Sequence, residues 1–179
     1  MGKAQDVTRA ARKVGTLIDM SSTPIGAGLA ALYAQHSEAV FRAALRVTGR
    51  AADAEDVLQT VFLRVLAHGH DGGAARHPAA YFRRAAVNAS VDLLRRRATH
   101  GETVYDEAAD VGVEPPVLLK EQLRRAIATL PNDDATLFLL RFVEGLSNEE
   151  LAELFGLEKN NVAVRLHRIR VRLQTEMER

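Results

Sequence analysis

An acidic stretch divides the chain into two parts, and this division limits the possible folds more than any other feature of the sequence. Residues 99–116 read THGETVYDEAADVGVEPP, with five acidic residues, no lysine or arginine, and a Pro-Pro pair at the end. A segment of this composition does not bury enough apolar surface to fold alone. We therefore interpret residues 100–116 as an acidic, flexible linker between two small domains.

The residues on both sides of this linker have the apolar spacing of α-helices. Aromatic residues make up only 5% of the chain and Trp is absent, which favours helix over sheet. The sequence therefore predicts an all-α fold with two small helical domains, at residues 29–99 and 117–179. Residues 1–28 end in the turn-forming run SSTPIGAG and are predicted to form a flexible N-terminal leader.

The composition also bears on the compartment and on the kind of partner. The chain has no Cys, which excludes disulfides and thiolate zinc sites. Polar residues interrupt every apolar run near the N-terminus, so we expect a cytoplasmic protein without membrane insertion. The net charge is only +1, so binding of a polyanion would depend on local patches.

The second domain contains the pattern of a helix-turn-helix. Ser147 and Glu150 have the spacing of a capping box, which begins a helix, and Gly156 stands where a helix end requires positive φ. A short turn at residues 157–159 leads into a second helix. The predicted core side of that helix consists of Val162, Leu166, Ile169 and Leu173.

A different face of this second helix is basic. Every charged residue from Lys159 to Arg172 is positive, whereas a solvated helix normally mixes signs. Uncompensated like charge costs stability unless an anion neutralises it, and Arg and Asn suit contacts with phosphates and bases. We interpret this face as a nucleic-acid surface, with a solvated charged face as the alternative. The stripe consists of Asn161, Arg165, Arg168 and Arg172.

The helix predicted at residues 52–66 has another kind of surface. Its core side is predicted to contain Val57, Leu58, Val61, Phe62, Val65 and Leu66. On the opposite side, Leu63 is surrounded by acidic and amide residues, as in a small protein-docking patch. An ordinary solvent-facing side with one stray leucine fits this helix equally well.

A further helix is predicted from about Pro78 to Arg97. Its buried side consists of Phe82, Ala86, Ala89 and Leu93. The opposite stripe consists of Tyr81, Arg84, Asn88 and Arg95. Aromatic rings stack on unpaired bases and Arg follows the phosphates, so this stripe fits a single strand of nucleic acid. The alternative is a surface helix that packs Tyr81 against a neighbour.

Taken together, these segments resemble the extracytoplasmic-function (ECF, group IV) sigma factors of bacterial RNA polymerase. The sequence DAEDVLQTVF, residues 53–62, is similar to the D-A-E-D-x-x-Q-x-x-F motif of their region 2.2. Residues 80–97 are similar to regions 2.3 and 2.4, and residues 130–173 to region four. The resemblance implies docking on the β′ clamp of core RNA polymerase, opening and reading of a −10 promoter element, and reading of a −35 element. It also implies an anti-sigma factor as a partner.

The resemblance implies three sets of site residues in this chain. The polymerase-binding residues are Asp53, Asp56, Gln59, Thr60 and Leu63. The −10 and melting residues are Tyr81, Arg84, Asn88, Arg95 and Arg96. The −35 residues are Lys159, Asn160, Asn161, Val164, Arg165, Arg168 and Arg172. The chain departs from the family's G-T-V-K-S-R-L at Asn160, Asn161, Ala163 and Val164, so we expect its base preference to lie there.

Two other functions fit parts of the pattern. A sigma mimic that sequesters an anti-sigma factor would not need the two basic faces. A stand-alone helix-turn-helix regulator would need a dimerisation element, for which the sequence has no heptads. We expect no enzymatic activity, no cofactor and no metal. The cluster His68, His70, Asp71 and His77 lacks the spacing of helical metal ligands.

Overall fold

The structure of the protein is a computed structural model that describes residues 24–68, 77–100 and 115–178. Within these residues it has seven α-helices and no strand, which confirms the predicted all-α fold. The helices are α1 (Pro24–Thr48), α2 (Ala51–His68), α3 (Pro78–His100), α4 (Pro115–Thr129), α5 (Asn132–Phe142), α6 (Asn148–Phe155) and α7 (Lys159–Met177). The chain divides into two compact units, and the boundary lies within α3, between Ala89 and Ser90.

Two helices begin earlier than the sequence pattern indicated. Helix α1 begins at Pro24, inside the predicted leader, and α4 begins at Pro115, inside the predicted linker. Both starts are proline, whose fixed φ suits the first helical position and whose missing N–H is not needed there. The rest of the predicted leader and linker, residues 1–23 and 101–114, lies outside the described residues.

The first unit is organised around an aromatic cluster. Helices α1 and α2 pack against each other after a two-residue connection in which Gly49 has φ +77°. The Phe62 ring lies 4.8 Å from the Tyr33 ring and 5.3 Å from the Phe82 ring, measured between centroids. The cluster therefore joins α1, α2 and the first half of α3. The predicted inward side of α2 is buried except for Leu66, which is 40% exposed.

The second unit is built around α7, which contacts α4, α5 and α6. All four residues predicted on its core side are buried, with Val162 fully covered. The predicted helix-turn-helix is formed by α6, the turn and α7, and Lys159 is already helical. Gly156 ends α6 at φ 63°, as the sequence predicted, and its conformation lets the chain turn into α7.

The start of α6 is the predicted capping box. The Ser147 backbone N–H donates to Glu150 Oε2 at 2.7 Å, and the Glu150 N–H donates to Ser147 Oγ at 3.2 Å. We expect Ser147→Ala to lower the free energy of unfolding by about 1 kcal/mol, because an N-terminal N–H loses its acceptor. Urea unfolding measures this change. Ser147→Asp is the control, since aspartate caps as well as serine; an equal loss in both variants would contradict the capping role.

A buried histidine completes the aromatic cluster of the first unit. The His36 ring stacks on Phe82 at 4.6 Å, and its Nε2 atom has no hydrogen-bond partner among the described residues. Burial lowers the pKa of His36 from its ordinary value of 6.5, because the charged ring would lose its hydration.

This histidine makes the stability of the first unit depend on pH. Its folded-state pKa lies below the unfolded value, so the unfolded chain binds the proton more tightly. The stability that neutral His36 contributes is therefore fully present above pH 6.5, and it is lost as the pH falls from there through the lower folded-state pKa. We expect the urea concentration at the unfolding midpoint to decrease when the pH is lowered from about 8 to about 5.5. The decrease should be smaller in His36→Leu. His167→Leu, at an exposed histidine, should behave like the parent chain; an equal fall in all three proteins would refute the prediction.

None of the helices in the described ranges combines the length and the hydrophobicity that a membrane crossing requires.

Candidate functional site

The basic face of α7 forms one wall of an open cleft of about 660 Å³ in the second unit. The cleft is lined by Pro131, Asp134, Asn161, Val164, Arg165, Arg168, Ile169 and Arg172. The four residues of the predicted stripe therefore lie together on one concave surface. Val164 also lies there with 49% of its surface exposed, where an apolar group can contact a thymine methyl.

One arginine of this face is paired across the cleft. Arg165 Nε donates to Asp134 Oδ1 at 2.6 Å, and the two side chains are 34% and 22% exposed. Asp134 lies in the first turn of α5, where the helix dipole also favours a carboxylate. Sequence reasoning missed this residue, because the two partners are 31 positions apart.

A second cation of the face is paired with the preceding helix. The Lys159 ammonium donates a hydrogen bond to Glu149, and this contact lowers the pKa of the Glu149 carboxyl. Both side chains are exposed, so the pair adds little to stability.

The expectation that the positive charge of α7 is uncompensated is thus wrong for two of its five cations. Acids from α5 and α6 neutralise Arg165 and Lys159, because folding brings these helices beside α7. Arg168, Arg170 and Arg172 are exposed and form no ion pair with the described residues. Asn160 and Asn161 are exposed as well. The free positive charge is concentrated on the middle and the later turns of α7.

The predicted stripe on α3 is less exposed than its spacing indicated. Tyr81, Arg84 and Asn88 are half-buried and have interactions within the protein. The Tyr81 ring lies edge-on to Phe82, with 5.5 Å between the centroids. Arg96 is exposed. The buried side is as predicted, and Val87, Ser90 and Val91 widen it.

Arg95 does not belong to that exposed stripe, which corrects the sequence interpretation. Its Nε donates to Ala128 O at 3.2 Å, its Nη1 donates to Asn132 Oδ1 at 3.1 Å, and its Nη2 donates to Leu130 O. Two of these acceptors are carbonyls at the end of α4, which lack partners within a helix and favour a cation. Each of the three guanidinium nitrogens of Arg95 therefore donates a hydrogen bond within the second unit.

The predicted docking patch on α2 is partly exposed. Asp56 lies at the surface and Leu63 is 55% exposed, while Gln59 and Thr60 are half-buried. Asp53 is only 1% exposed, so its expected place on this surface is wrong. It lies in the first turn of α2, beside the connection to α1, and has an interaction partner inside the protein, as a buried carboxylate requires.

The prediction that Leu66 lies on the core side of α2 is also wrong. Leu66 is 40% exposed, one turn beyond Leu63. It stands near the end of α2. The apolar part of the patch therefore includes two leucines rather than one.

No group of three or more His, Cys, Asp or Glu side chains within the described ranges could hold a metal ion. Two of the four residues in the histidine cluster considered in the sequence, His70 and Asp71, lie outside these ranges.

Two family models match the chain. The model described as "Sigma-70 region 2" matches residues 32–100, which contain α2 and α3. The model described as "Sigma-70, region 4" matches residues 120–173, which contain α5, α6 and most of α7. The two matches together cover more than half of the chain, in the order that the sequence motifs indicated.

Three similar proteins are described as ECF RNA polymerase sigma factors. The "ECF RNA polymerase sigma factor SigE" of Mycolicibacterium smegmatis is 30% identical over 80% of this chain and 59% of that protein. "SigW" of Bacillus subtilis is 23% identical, over 79% of this chain and 84% of that protein. "SigL" of Mycobacterium tuberculosis is 32% identical, over 76% of this chain and 81% of that protein. The chain thus spans less than two thirds of SigE but most of the other two.

Proposed function

The chain belongs to the ECF sigma factors of the sigma-70 family, and from that premise we propose that it directs core RNA polymerase to specific promoters. The observation that carries this proposal is the cleft beside α7, where the stripe residues and Val164 lie together on a helix-turn-helix. Such a surface fits the major groove of DNA, which admits an α-helix. The synthesis of RNA belongs to the polymerase, and this chain supplies recognition.

We propose that α7 reads the −35 element. Asn161, Arg165 and Val164 offer an amide, a guanidinium and an apolar group, which together distinguish adenine, guanine and thymine. Arg168 and Arg172 have no ion pair among the described residues and fit the phosphates. Lys159 and Asn160 lie in the first turn of α7 and are the remaining residues proposed to contact the −35 element.

We propose that α3 contributes to reading and opening the −10 element. Its exposed Arg96 and half-buried Tyr81, Arg84 and Asn88 support contacts with phosphates and unstacked bases. Arg95 acts here only if its hydrogen bonds with the α4–α5 connection are released. In the free chain, Arg95 therefore has a structural role.

We propose that the patch on α2 docks on the β′ clamp of core polymerase. It combines exposed Asp56 with the exposed leucines Leu63 and Leu66, and a mixed surface of this kind is typical of a protein interface. Control by an anti-sigma factor, which the family resemblance implies, belongs to the same proposal.

Run-off transcription with purified core polymerase on genomic fragments tests the proposed function. We expect discrete transcripts that appear only when the chain is added. A sigma mimic would bind an anti-sigma factor and yield no transcript. A stand-alone regulator would bind duplex DNA without polymerase and yield no new start site. Either of these results would overturn the proposal.

We expect Arg168→Ala to lower promoter-specific transcription about tenfold or more, because a hydrogen bond to a charged phosphate group is worth about 1.5–3 kcal/mol. Run-off yield on a promoter recovered in the previous experiment measures the change. Arg170→Ala is the matched control, since Arg170 is also an exposed arginine of α7 but does not line the cleft. Equal yields from both variants would remove Arg168 from the reading surface.

A further inference from the structure

We propose that Asp134 is a positioning residue that determines how Arg165 is presented to DNA, and so contributes to base selectivity. This inference rests on the proposed function, because it assigns a role to Asp134 within the −35 reading surface. Asp134 itself lies on α5, outside the recognition helix.

The contact uses one defined edge of the guanidinium. Arg165 donates through Nε to Asp134 Oδ1, and its Nη atoms form no hydrogen bond with the described residues. An arginine can pair with guanine or phosphate either through Nε and one Nη, or through the two Nη atoms. With Nε already engaged, only the second geometry remains. The side chain is thereby restricted to an end-on contact.

Asp134 is held in place by the packing of α5, so it can fix the orientation of Arg165. Helix α5 is anchored by Thr136, Leu137 and Leu140, each at most 1% exposed. Asp134 and Arg165 are both partly shielded from water, so their charge-assisted hydrogen bond is screened less than an exposed pair. A long side chain that is already ordered loses less conformational entropy on binding. The pair therefore preorganises Arg165.

If Asp134 acted only through its negative charge, its removal would have a different effect on DNA binding. An acid close to the phosphate backbone repels DNA, so removing it should strengthen binding to every sequence equally. The neighbouring Asp133 provides the comparison: it lies in the same first turn of α5, is exposed, and has no ion pair with the described residues. Loss of either carboxylate changes the net charge by the same amount.

The test measures base selectivity by the complete holoenzyme. The probes are promoter fragments recovered by run-off transcription and the same fragments with each upstream base pair replaced in turn. The penalty of a replaced base pair is the factor by which it lowers the affinity of the holoenzyme for the fragment. In Asp134→Ala, we expect this penalty to fall about threefold to tenfold at one base pair. Asp134→Asn should retain most of the penalty, since its amide oxygen still accepts from Nε. Asp133→Ala should leave the penalty at every base pair unchanged.

A double variant separates positioning from other effects. In chains that already carry Arg165→Ala, Asp134→Ala should not change selectivity further. The inference is overturned if Asp134→Ala changes affinity for all fragments by one common factor, as Asp133→Ala does. If Arg165→Ala itself leaves selectivity unchanged, the role of Arg165 and the inference fail while promoter-directed transcription stands. If the parent holoenzyme recovers no promoter fragment, the proposed function fails and the inference fails with it.

Discussion

Charge reversal at Asp56 is expected to weaken binding of the chain to core RNA polymerase strongly while the fold stays intact. Asp56 is exposed on α2, so arginine can replace it without burying a charge. The patch around it offers one acid and two exposed leucines, and a reversed charge at such a site meets repulsion as well as a lost contact. We expect the dissociation constant to rise about 30-fold or more, as for an interface hot spot.

Binding of labelled chain to purified core polymerase measures this effect, with circular dichroism as a check on folding. Glu38→Arg is the matched control, because it makes the same charge change at an exposed acid on α1. Leu63→Glu is a second variant, which tests the apolar part of the patch without reversing a charge. If both Asp56→Arg and Leu63→Glu bind core polymerase as tightly as Glu38→Arg, the patch is not the docking surface.

Truncation of Leu166 to alanine is expected to destabilise the second unit by about 2–5 kcal/mol. Leu166 is 6% exposed on the inner side of α7, which contacts the other three complete helices of that unit. Loss of its side chain removes apolar burial and leaves a cavity that packed neighbours cannot fully close. Such a loss is a large fraction of the roughly 5–15 kcal/mol that stabilises an ordinary domain.

Urea unfolding followed by circular dichroism tests this expectation. Val171→Ala is the matched control, because Val171 lies on the same helix and is 52% exposed. We expect that variant to stay within about 0.5 kcal/mol of the parent chain. Comparable losses in both variants would contradict the assignment of the Leu166 side of α7 to the core.

The helices and the helix-turn-helix could be read from the sequence because their causes are local. The capping box joins Ser147 and Glu150, three positions apart, and Gly156 ends the same helix. The inward residues of α7 recur every three or four positions, which is the spacing of one helical face. Errors occurred at helix ends, as for Asp53 and Leu66, where the neighbouring elements decide burial more than the helical wheel does.

The helical fold, the turn before α7 and the presence of a basic stripe on that helix follow from local sequence patterns. Which of those cations are free depends on the packing of the helices and cannot be read from such patterns. The partner of Arg165 is 31 positions away and that of Lys159 is ten, while the acceptors of Arg95 are 33 to 37 positions away. Helical periodicity describes neighbours within about four positions. Ion pairs and hydrogen bonds between helices depend on how the helices pack, so the charge available to DNA is a property of the folded unit.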